Sequence, residues 1–334
     1  MNDCTYSGIV EGLAVNVRLD RYVAESLCLL SRSQIKTRSL EAKLNGKAVK
    51  ISHTVKNGDA VELSWLPAAP LYLEPENISL DIIYEDDRCA VINKAQGMVV
   101  HPGAGNHVGT LANALLYRHL NRLSGTPNGP NKKTEPAGRI NYRNGIVHRL
   151  DKDTSGVIIA AYDDQALAFL SAQFKAKTAR KRYLAVVQGN PAEKEGTIRT
   201  RLIRDPGNRQ RFTAIPDVPS VKPQGKIALT GYRVLKSWPG YSLLLLEPKT
   251  GRTHQLRVHL KHLGNPIVGD PLYNPLYEEK GKVQEKNFSG FTLMLHALSL
   301  AVVIPGESER RIFKAPIPDR FKKIIAELNG KMNH

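Results

Sequence analysis

Nine residues near the middle of the chain guide the interpretation of the rest: His148-Arg149-Leu150-Asp151-Lys152-Asp153-Thr154-Ser155-Gly156. They place one acidic side chain, Asp151, among cations and turn-forming residues, directly ahead of an apolar run at residues 157–161. That run is short and rich in β-branched residues, which predicts a buried strand. Asp151 would then lie in a loop braced by a strand, where catalytic side chains are common because the scaffold fixes their position. The same residues are also ordinary turn formers, so the stretch alone leaves both interpretations open.

The composition indicates a basic protein with a polyanionic partner. The 334 residues include 48 Lys and Arg against 31 Asp and Glu, which gives a net charge of +17 and a pI near 9.8. Such a balance favours nucleic acid as the partner, although excess charge also serves solubility. The length suits a main core and a smaller module.

The remaining composition features exclude several classes of protein. No apolar run is long enough to span a bilayer, and the first residues do not resemble a signal peptide. The three cysteines, Cys4, Cys28 and Cys89, lack CxxC spacing, which argues against a disulfide framework or a cysteine-based zinc site. We therefore expect a cytoplasmic protein with no membrane association.

The first part of the chain predicts two short helices followed by tight turns. Apolar residues recur at helical spacing over residues 17–27, and Ser31 or Ser33 can cap a second helix. Asn-Gly pairs at residues 45–46 and 57–58 each predict a turn between paired strands. The cations on these helices are candidates for phosphate contact: Arg18, Arg32, Lys36 and Arg38.

Over residues 17–65 this order resembles the S4-type RNA-binding domain. The matching residues are Arg-Leu-Asp at the first helix, Ser-Arg-Ser at the second, and Leu-Asn-Gly-Lys followed by Asn-Gly-Asp. The resemblance implies that residues 1–66 bind RNA, and a generic small α/β module is the alternative. Pro67 and Pro70 then interrupt regular structure, so we expect a linker over residues 67–80 and a second domain over residues 81–334.

The second domain begins with two predicted strands and continues through alternating helices and strands. The strands cover residues 81–85 and 89–93, and a helix capped by Thr110 follows. A second helix is predicted with Asp164 as its cap, then a strand over residues 181–187 that carries Tyr183 after a basic run. Residues 121–144 and 274–290 are polar and predict surface excursions. Late strands over residues 291–304 and a helix over residues 321–328 complete the domain.

Two further segments carry chemistry. Five arginines with one acid, Asp205, over residues 199–211 suggest phosphate contact, and a solvated loop is the alternative. Residues 251–264 predict a helix with Arg252 at its entry. The three histidines in it do not share one helical face at i,i+4 and have no acidic fourth ligand nearby, so we expect no metal site.

Three motifs in this order resemble the RluA/RluD-type pseudouridine synthases. They are His-Arg-Leu-Asp-Lys-Asp-Thr-Ser-Gly at 148–156, Lys-Arg-Tyr-Leu-Ala at 181–185 and Gly-Arg-Thr-His-Gln-Leu-Arg at 251–257. The S4-like module resembles that of the RluC/RluD branch, which modifies large-subunit ribosomal RNA. The resemblance implies an α+β fold: a small N-terminal S4-type module and a large mixed, mainly antiparallel sheet with flanking helices.

The resemblance also implies residue roles. Asp151 is expected to be the catalytic carboxylate, Tyr183 the ring against the target base, and Arg252 the partner of Asp151. Arg149 is expected to move with the flipped nucleotide, or to bind phosphate instead, and Leu256 to form an apolar wall. The substrate is expected to be 23S ribosomal RNA or the large ribosomal subunit, acted on by a monomer.

These roles agree with the chemistry of isomerising uridine. The N-glycosidic bond must break, the base must turn, and C5 must join the sugar, so a carboxylate can stabilise or trap the separated fragments. An arginine beside it favours the ionised form, and the tyrosine can stack on the base and relay the proton of C5. Extruding the uridine requires a residue to occupy the gap. No cofactor or metal is required.

Two other interpretations remain open from the sequence. Asp-Lys-Asp-Thr at 151–154 matches the signature of haloacid-dehalogenase-type phosphotransferases, but the buried strand that they need before the motif is predicted after it. A ribosome-binding or assembly protein with an inert large domain would also be basic and carry an S4-like module. The presence of Asp151, Tyr183 and Arg252 together disfavours it.

Overall fold

A computed structural model describes most of the chain and divides it into two compact units. The described residues are 4–27, 29–30, 34–35, 39–66, 73–103, 105–124, 145–218, 224–274 and 291–330. The units are Met1–Tyr72 and Leu73–His334. In the described residues, no helix is both long and apolar enough to cross a bilayer.

The first unit contains a four-stranded antiparallel sheet in the order β1-β6-β3-β4. Its strands are β1 (Cys4–Ile9), β3 (Glu41–Leu44), β4 (Lys47–Val49) and β6 (Ala60–Trp65), and a separate pair joins β2 (Val17–Arg18) to β5 (Thr54–Val55). Asn45 and Gly46, with φ of 50° and 77°, form the predicted turn between β3 and β4. A left-handed pair of this kind suits the twist of a hairpin, which is why Asn-Gly is favoured there.

Three expectations for this unit need correction or lie outside the description. The helix predicted over residues 17–27 begins as β2, and the helical part is α1 (Leu19–Arg21) followed by a π-helical turn, Tyr22–Ser26. The Asn57-Gly58 turn does not close a hairpin, because β5 pairs with β2 while β6 pairs with β1 and β3. Within the second predicted helix, residues 34–35 are helical and Leu40 is not, while Arg32, Lys36 and Arg38 lie outside the described residues.

Ten described strands form one sheet in the second unit, and this confirms the expected mixed, mainly antiparallel fold. The order is β12-β11-β13-β14-β10-β15-β9-β8-β7, with β16 also paired to β15, and the β9–β15 pair is parallel. The strands are β7 (Ile82–Glu85), β8 (Cys89–Lys94), β9 (Ser155–Ala161), β10 (Arg180–Gln188), β11 (Glu195–Arg204), β12 (Phe212–Pro216), β13 (Lys226–Trp238), β14 (Tyr241–Pro248), β15 (Leu295–Val303) and β16 (Arg310–Lys314).

In the described part of this unit, four helices flank the sheet: α2 (Leu111–Ser124), α3 (Asp164–Lys175), α4 (Gln255–His262) and α5 (Asp319–Gly330). The cap of α3 is Asp163 rather than Asp164, since the Asp163 carboxylate accepts from Ala166 N. The first four residues of the excursion expected over residues 121–144 belong to α2, which continues to Ser124. Residues 125–144 and 275–290 lie outside the description. The late strands are a single strand, β15.

The strand after Asp151 is buried on both faces, as its composition predicts. All seven residues of β9 are buried. Ile158 and Ala160 belong to one apolar cluster, and Val157, Ile159 and Ala161 belong to another on the opposite face. A strand enclosed in this way is a rigid support for the loop that precedes it.

Candidate active site

The loop that carries Asp151 is a turn held from several sides. Its own backbone closes through a 3.1 Å hydrogen bond from Thr154 N to Asp151 O. The side chain of Lys94 is 1% exposed, and its Nζ donates to Lys152 O at 3.0 Å. Gly97 N donates to the same carbonyl at 2.9 Å. The turn interpretation is therefore confirmed, and these contacts fix the position of the Asp151 carboxylate.

Lys94 is a buried cation that, in the described part of the chain, has no carboxylate within hydrogen-bonding distance. Its ammonium also donates to Ala95 O and Met98 O, both at 2.8 Å, so three carbonyls share its protons. Burial lowers the pKa of Lys94 to about 8, although the charges of Asp153 and Asp151 partly oppose this. In the sequence, this role is marked only by a lysine at the end of a predicted strand.

Gly156, at the end of the motif, is required by close backbone contact. Its φ is +112°, and a Cβ there would lie 2.2 Å from Ala297 O. The contact arises because β9 and β15 pair in parallel at this point, with Gly156 opposite Ala297. Next to it, Ser155 Oγ accepts from Arg320 at 2.6 Å and bonds His296 Nδ1 at 2.8 Å. These contacts anchor the start of β9.

Asp151 faces a cavity of about 470 Å³ that is rich in positive charge. Tyr183 and Leu256 are also among the lining residues. Asp151 is the only acidic side chain among the described lining residues, whereas several cations surround it: Arg149, Lys175, Lys177, Lys181, Lys249, Arg252 and Arg257. A single carboxylate surrounded by cations suits a substrate that is itself a polyanion.

Arg257 is the ion-pair partner of Asp151. Its Nη1 lies 3.5 Å from Asp151 Oδ2, and its Nε and Nη2 bind the two oxygens of Asp270 at 2.8 and 2.7 Å. The Arg257 side chain is 6% exposed and that of Asp270 is fully buried. Burial disfavours the charge of Arg257, but Asp270 and Asp151 more than compensate, so the pKa of Arg257 is raised. Asp270 thus fixes the guanidinium in place, and the guanidinium offers its remaining edge to Asp151.

The expected pairing of Arg252 with Asp151 is corrected by this geometry. Arg252 lines the same cavity, but its side chain is exposed and its Nε donates to Ile227 O at 3.1 Å. The physical reason is its position: α4 begins at Gln255, so Arg252 lies in the preceding loop, whereas Arg257 lies inside the helix on its buried side. In the sequence, the residue that could have indicated Arg257 as the partner is the distant Asp270, because a buried carboxylate needs a buried cation beside it.

Tyr183 lies in the middle of the sheet and lines the cavity beside Asp151. It is 9% exposed and belongs to β10, where the pairing with β15 shifts by one residue between Arg182 and Tyr183. Burial, and then the charge of Asp151, raises the pKa of Tyr183 above its ordinary value. Both effects favour the neutral phenol of Tyr183 in this cavity.

His148 has a structural role that the sequence did not indicate. Its ring stacks on Phe174 at 4.5 Å, and its Nε2 accepts from Ile159 N at 3.1 Å. Burial, and then the charge of Lys181, lowers the pKa of His148 to about 3. The ring is therefore neutral, and its hydrogen bond joins the Asp151 loop to β9.

The remaining predicted site residues are placed as follows. Arg149 is exposed at the cavity edge, and Leu256 is 7% exposed in the cavity wall. Arg18, in the first unit, is exposed and paired with Asp20 at 3.0 Å. The guanidinium of Arg18 therefore reaches solvent.

A second layer of polar groups supports Arg257. Its guanidinium lies 5.0 Å from the centre of the Tyr273 ring. The Tyr273 hydroxyl accepts from Phe212 N at 2.9 Å and bonds His254 Nδ1 at 2.8 Å. Burial, offset in part by the charge of Asp151, lowers the pKa of His254, so this histidine serves as a hydrogen-bonding neighbour.

Comparison with known proteins identifies the family. The family model described as RNA pseudouridylate synthase matches residues 88–262. The ribosomal large subunit pseudouridine synthase D of Borreliella burgdorferi is 41% identical over 311 residues, covering 91% of this chain and 87% of that protein. The protein of the same name from Xanthomonas campestris is 36% identical and covers 96% of this chain and 91% of that one.

Solved structures agree with the sequence comparison. Human RNA pseudouridylate synthase domain containing 4 matches with a TM-score of 0.58 and 27% identity, over 75% of this chain and 93% of that chain. Human RNA pseudouridylate synthase domain containing 1 matches with a TM-score of 0.52 and 28% identity, over 73% of this chain and 85% of that chain. These matches exclude the haloacid-dehalogenase interpretation. The chain belongs to the RNA pseudouridylate synthase family, and it is an isomerase of that class.

Proposed function

We propose that this protein converts specific uridines of large-subunit ribosomal RNA to pseudouridine, with Asp151 as the catalytic carboxylate. The observation that carries the proposal is the cavity in which Asp151 is paired with Arg257, next to Tyr183 and surrounded by cations. The names of two relatives, which specify the large ribosomal subunit, support ribosomal RNA as the substrate.

The reaction starts with cleavage of the bond between N1 of uracil and C1′ of the ribose. Positive charge develops on the sugar and negative charge on the base as this bond breaks. The Asp151 carboxylate stabilises the positive charge, and Arg257 keeps the carboxylate oriented. No water enters the balance, so one carboxylate is enough, unlike in a glycoside hydrolase, which needs two.

The released base then turns so that C5 faces C1′, forms the new bond and gives up the proton of C5, while N1 takes up a proton. Tyr183 stacks on the base during this rotation, for about 1–3 kcal/mol, and its neutral hydroxyl relays the proton. The atoms of the uridine are conserved overall.

The target uridine must leave its stack to reach this cavity, at a cost of a few kcal/mol. Arg149, exposed at the edge of the cavity, is suited to occupy the gap or to contact a phosphate. Leu256 provides an apolar surface beside the base. The first unit provides further RNA contact in this proposal, in line with its resemblance to S4 domains. The residues proposed for it are Arg18, Arg32, Lys36 and Arg38. A monomeric state and a cytoplasmic location complete the proposal.

Pseudouridine mapping of ribosomal RNA tests the proposed substrate. Cells that lack the gene are complemented with the wild-type gene or with Asp151→Asn, and their ribosomal RNA is mapped. The proposal predicts large-subunit sites that are lost without the gene, restored by the wild type and not restored by Asp151→Asn. A complete large-subunit pattern in the deletion strain would reject ribosomal RNA as the substrate.

A further inference from the structure

Lys181 lies on the same side of β10 as Tyr183. Side chains two residues apart on a strand share a face and are separated by about 6.6 Å along it. Both residues line the cavity, while Arg182 between them is exposed and pairs with Glu247 at 2.8 Å. Strand β10 therefore presents an aromatic ring and an ammonium side by side to whatever fills the cavity.

The charge of Lys181 has no counter-ion within the described part of the chain. No ion pair or hydrogen bond involves its Nζ there, whereas its neighbour Arg182 has a carboxylate partner. Its Nζ lies 5.9 Å from the centre of the Phe174 ring, which provides a weak cation–π contact. Burial lowers the pKa of Lys181, with no acidic group opposing the effect. A bound anion would therefore stabilise this half-buried ammonium.

The space around the ammonium is open to a ligand. A Cβ at Gly251 would lie 3.8 Å from Lys181 Nζ, so a side chain there would cover it, and glycine leaves it accessible from the cavity. Gly251 belongs to the loop before α4 that also carries Lys249 and Arg252. Further cations, Lys175 and Lys177, approach from the end of α3. An anion in contact with Lys181 would thus lie in a positive field.

We infer that Lys181 binds a phosphodiester next to the target uridine, an inference that rests on the proposed function. If the uracil stacks on Tyr183, its ribose extends along the strand, and a neighbouring phosphate comes within reach of Lys181. The ligand class is a nucleic-acid phosphodiester, and Lys181 is a substrate-positioning residue. Its contact would hold the sugar in place while the base turns.

Steady-state tritium release from a 23S ribosomal RNA transcript labelled at uridine C5 tests this inference. The proteins are the wild type, Lys181→Met, Lys181→Arg and, as a matched control, Lys314→Met, which removes an exposed lysine of β16 outside the cavity lining. KM and kcat/KM are measured across a range of salt concentrations. Methionine keeps an apolar side chain over Phe174 and removes the ammonium, with its charge and its hydrogen-bond donors.

The expected result for Lys181→Met is a roughly tenfold rise in KM at low salt, because a charge-assisted hydrogen bond is lost. The slope of log kcat/KM against log salt should also fall by about 0.7–0.9, the contribution of one phosphate. Lys181→Arg should keep the wild-type slope, and Lys314→Met should match the wild type.

Two results would overturn the inference while leaving the proposed function intact. One is a Lys181→Met protein with the KM and salt slope of Lys314→Met. The other is a loss of kcat with an unchanged salt slope, which would indicate a packing role. A wild-type protein that releases no tritium would instead reject the proposed function, and the inference with it.

Discussion

Replacing each of the two arginines of the motif at 251–257 in turn distinguishes the partner of Asp151 from a residue at the edge of the cavity. Arg257→Met removes two hydrogen bonds to the fully buried Asp270 as well as the 3.5 Å contact with Asp151. Breaking a buried pair in this way costs about 3–5 kcal/mol, because the remaining carboxylate is left unpaired. For a unit of this size the expected fall in Tm is about 6–20 °C.

Arg252→Met should behave differently. Its side chain is exposed and, within the described residues, makes one hydrogen bond, to Ile227 O. The free energy of unfolding should therefore change by no more than about 0.5 kcal/mol. Loss of a cation at the cavity edge should raise KM and leave kcat within the wild-type range.

The assay combines urea unfolding with single-turnover tritium release. Arg257→Lys is included because it keeps the charge but cannot form the two-pronged contact with Asp270. We expect Arg257→Lys to remain folded and to lose about 10²-fold in the single-turnover rate, the cost of displacing a catalytic group by about 1 Å. A folded Arg257→Lys protein with wild-type turnover, together with an Arg252→Met protein of wild-type stability and no turnover, would refute the assignment of Arg257.

Three other perturbations follow from the same geometry. Gly156→Ala should lower the free energy of unfolding in urea titrations by more than about 3 kcal/mol, because the new Cβ meets Ala297 O at 2.2 Å. The control Gly240→Ala, with φ of +74° and no atom within 4 Å, should cost only about 1 kcal/mol. Equal losses in the two variants would contradict the role of the backbone contact. In the unfolded chain His148 binds a proton below its ordinary pKa of 6.5, whereas in the folded chain it does so only near 3. The free energy of unfolding therefore falls as the pH drops from about 6.5 towards 3, and urea titrations should show a shallower fall in His148→Asn. An identical fall in the two proteins would argue against the neutral ring. Tyr183→Phe should keep KM, because the ring remains, and lower kcat by about 10²-fold in tritium release; an unchanged kcat would exclude the hydroxyl relay.

The local features of the site follow from the sequence. A short β-branched run after turn formers predicts a loop acid before a buried strand, and β9 is buried along its whole length. The position of Tyr183 on a strand after a basic run can likewise be predicted, because strand composition and charge are local properties of the sequence. The motif order also identified the family correctly.

The long-range contacts of the site do not follow from one sequence. Lys94 reaches Lys152 O across 58 residues, and no local pattern marks a lysine as a donor to three carbonyls. The choice between Arg252 and Arg257 depended on where α4 starts and on Asp270, two facts of tertiary structure. Some predicted boundaries of helices and strands were wrong for the same reason, because a strand starts where its pairing with the neighbouring strand starts.

Release of tritium from RNA labelled at uridine C5 is the most direct measurement of uridine isomerisation by Asp151. We expect stoichiometric release with the purified wild-type protein and no release with Asp151→Asn, whose folding is checked by urea unfolding. Release by Asp151→Asn at the wild-type rate would show that Asp151 is not the catalytic carboxylate.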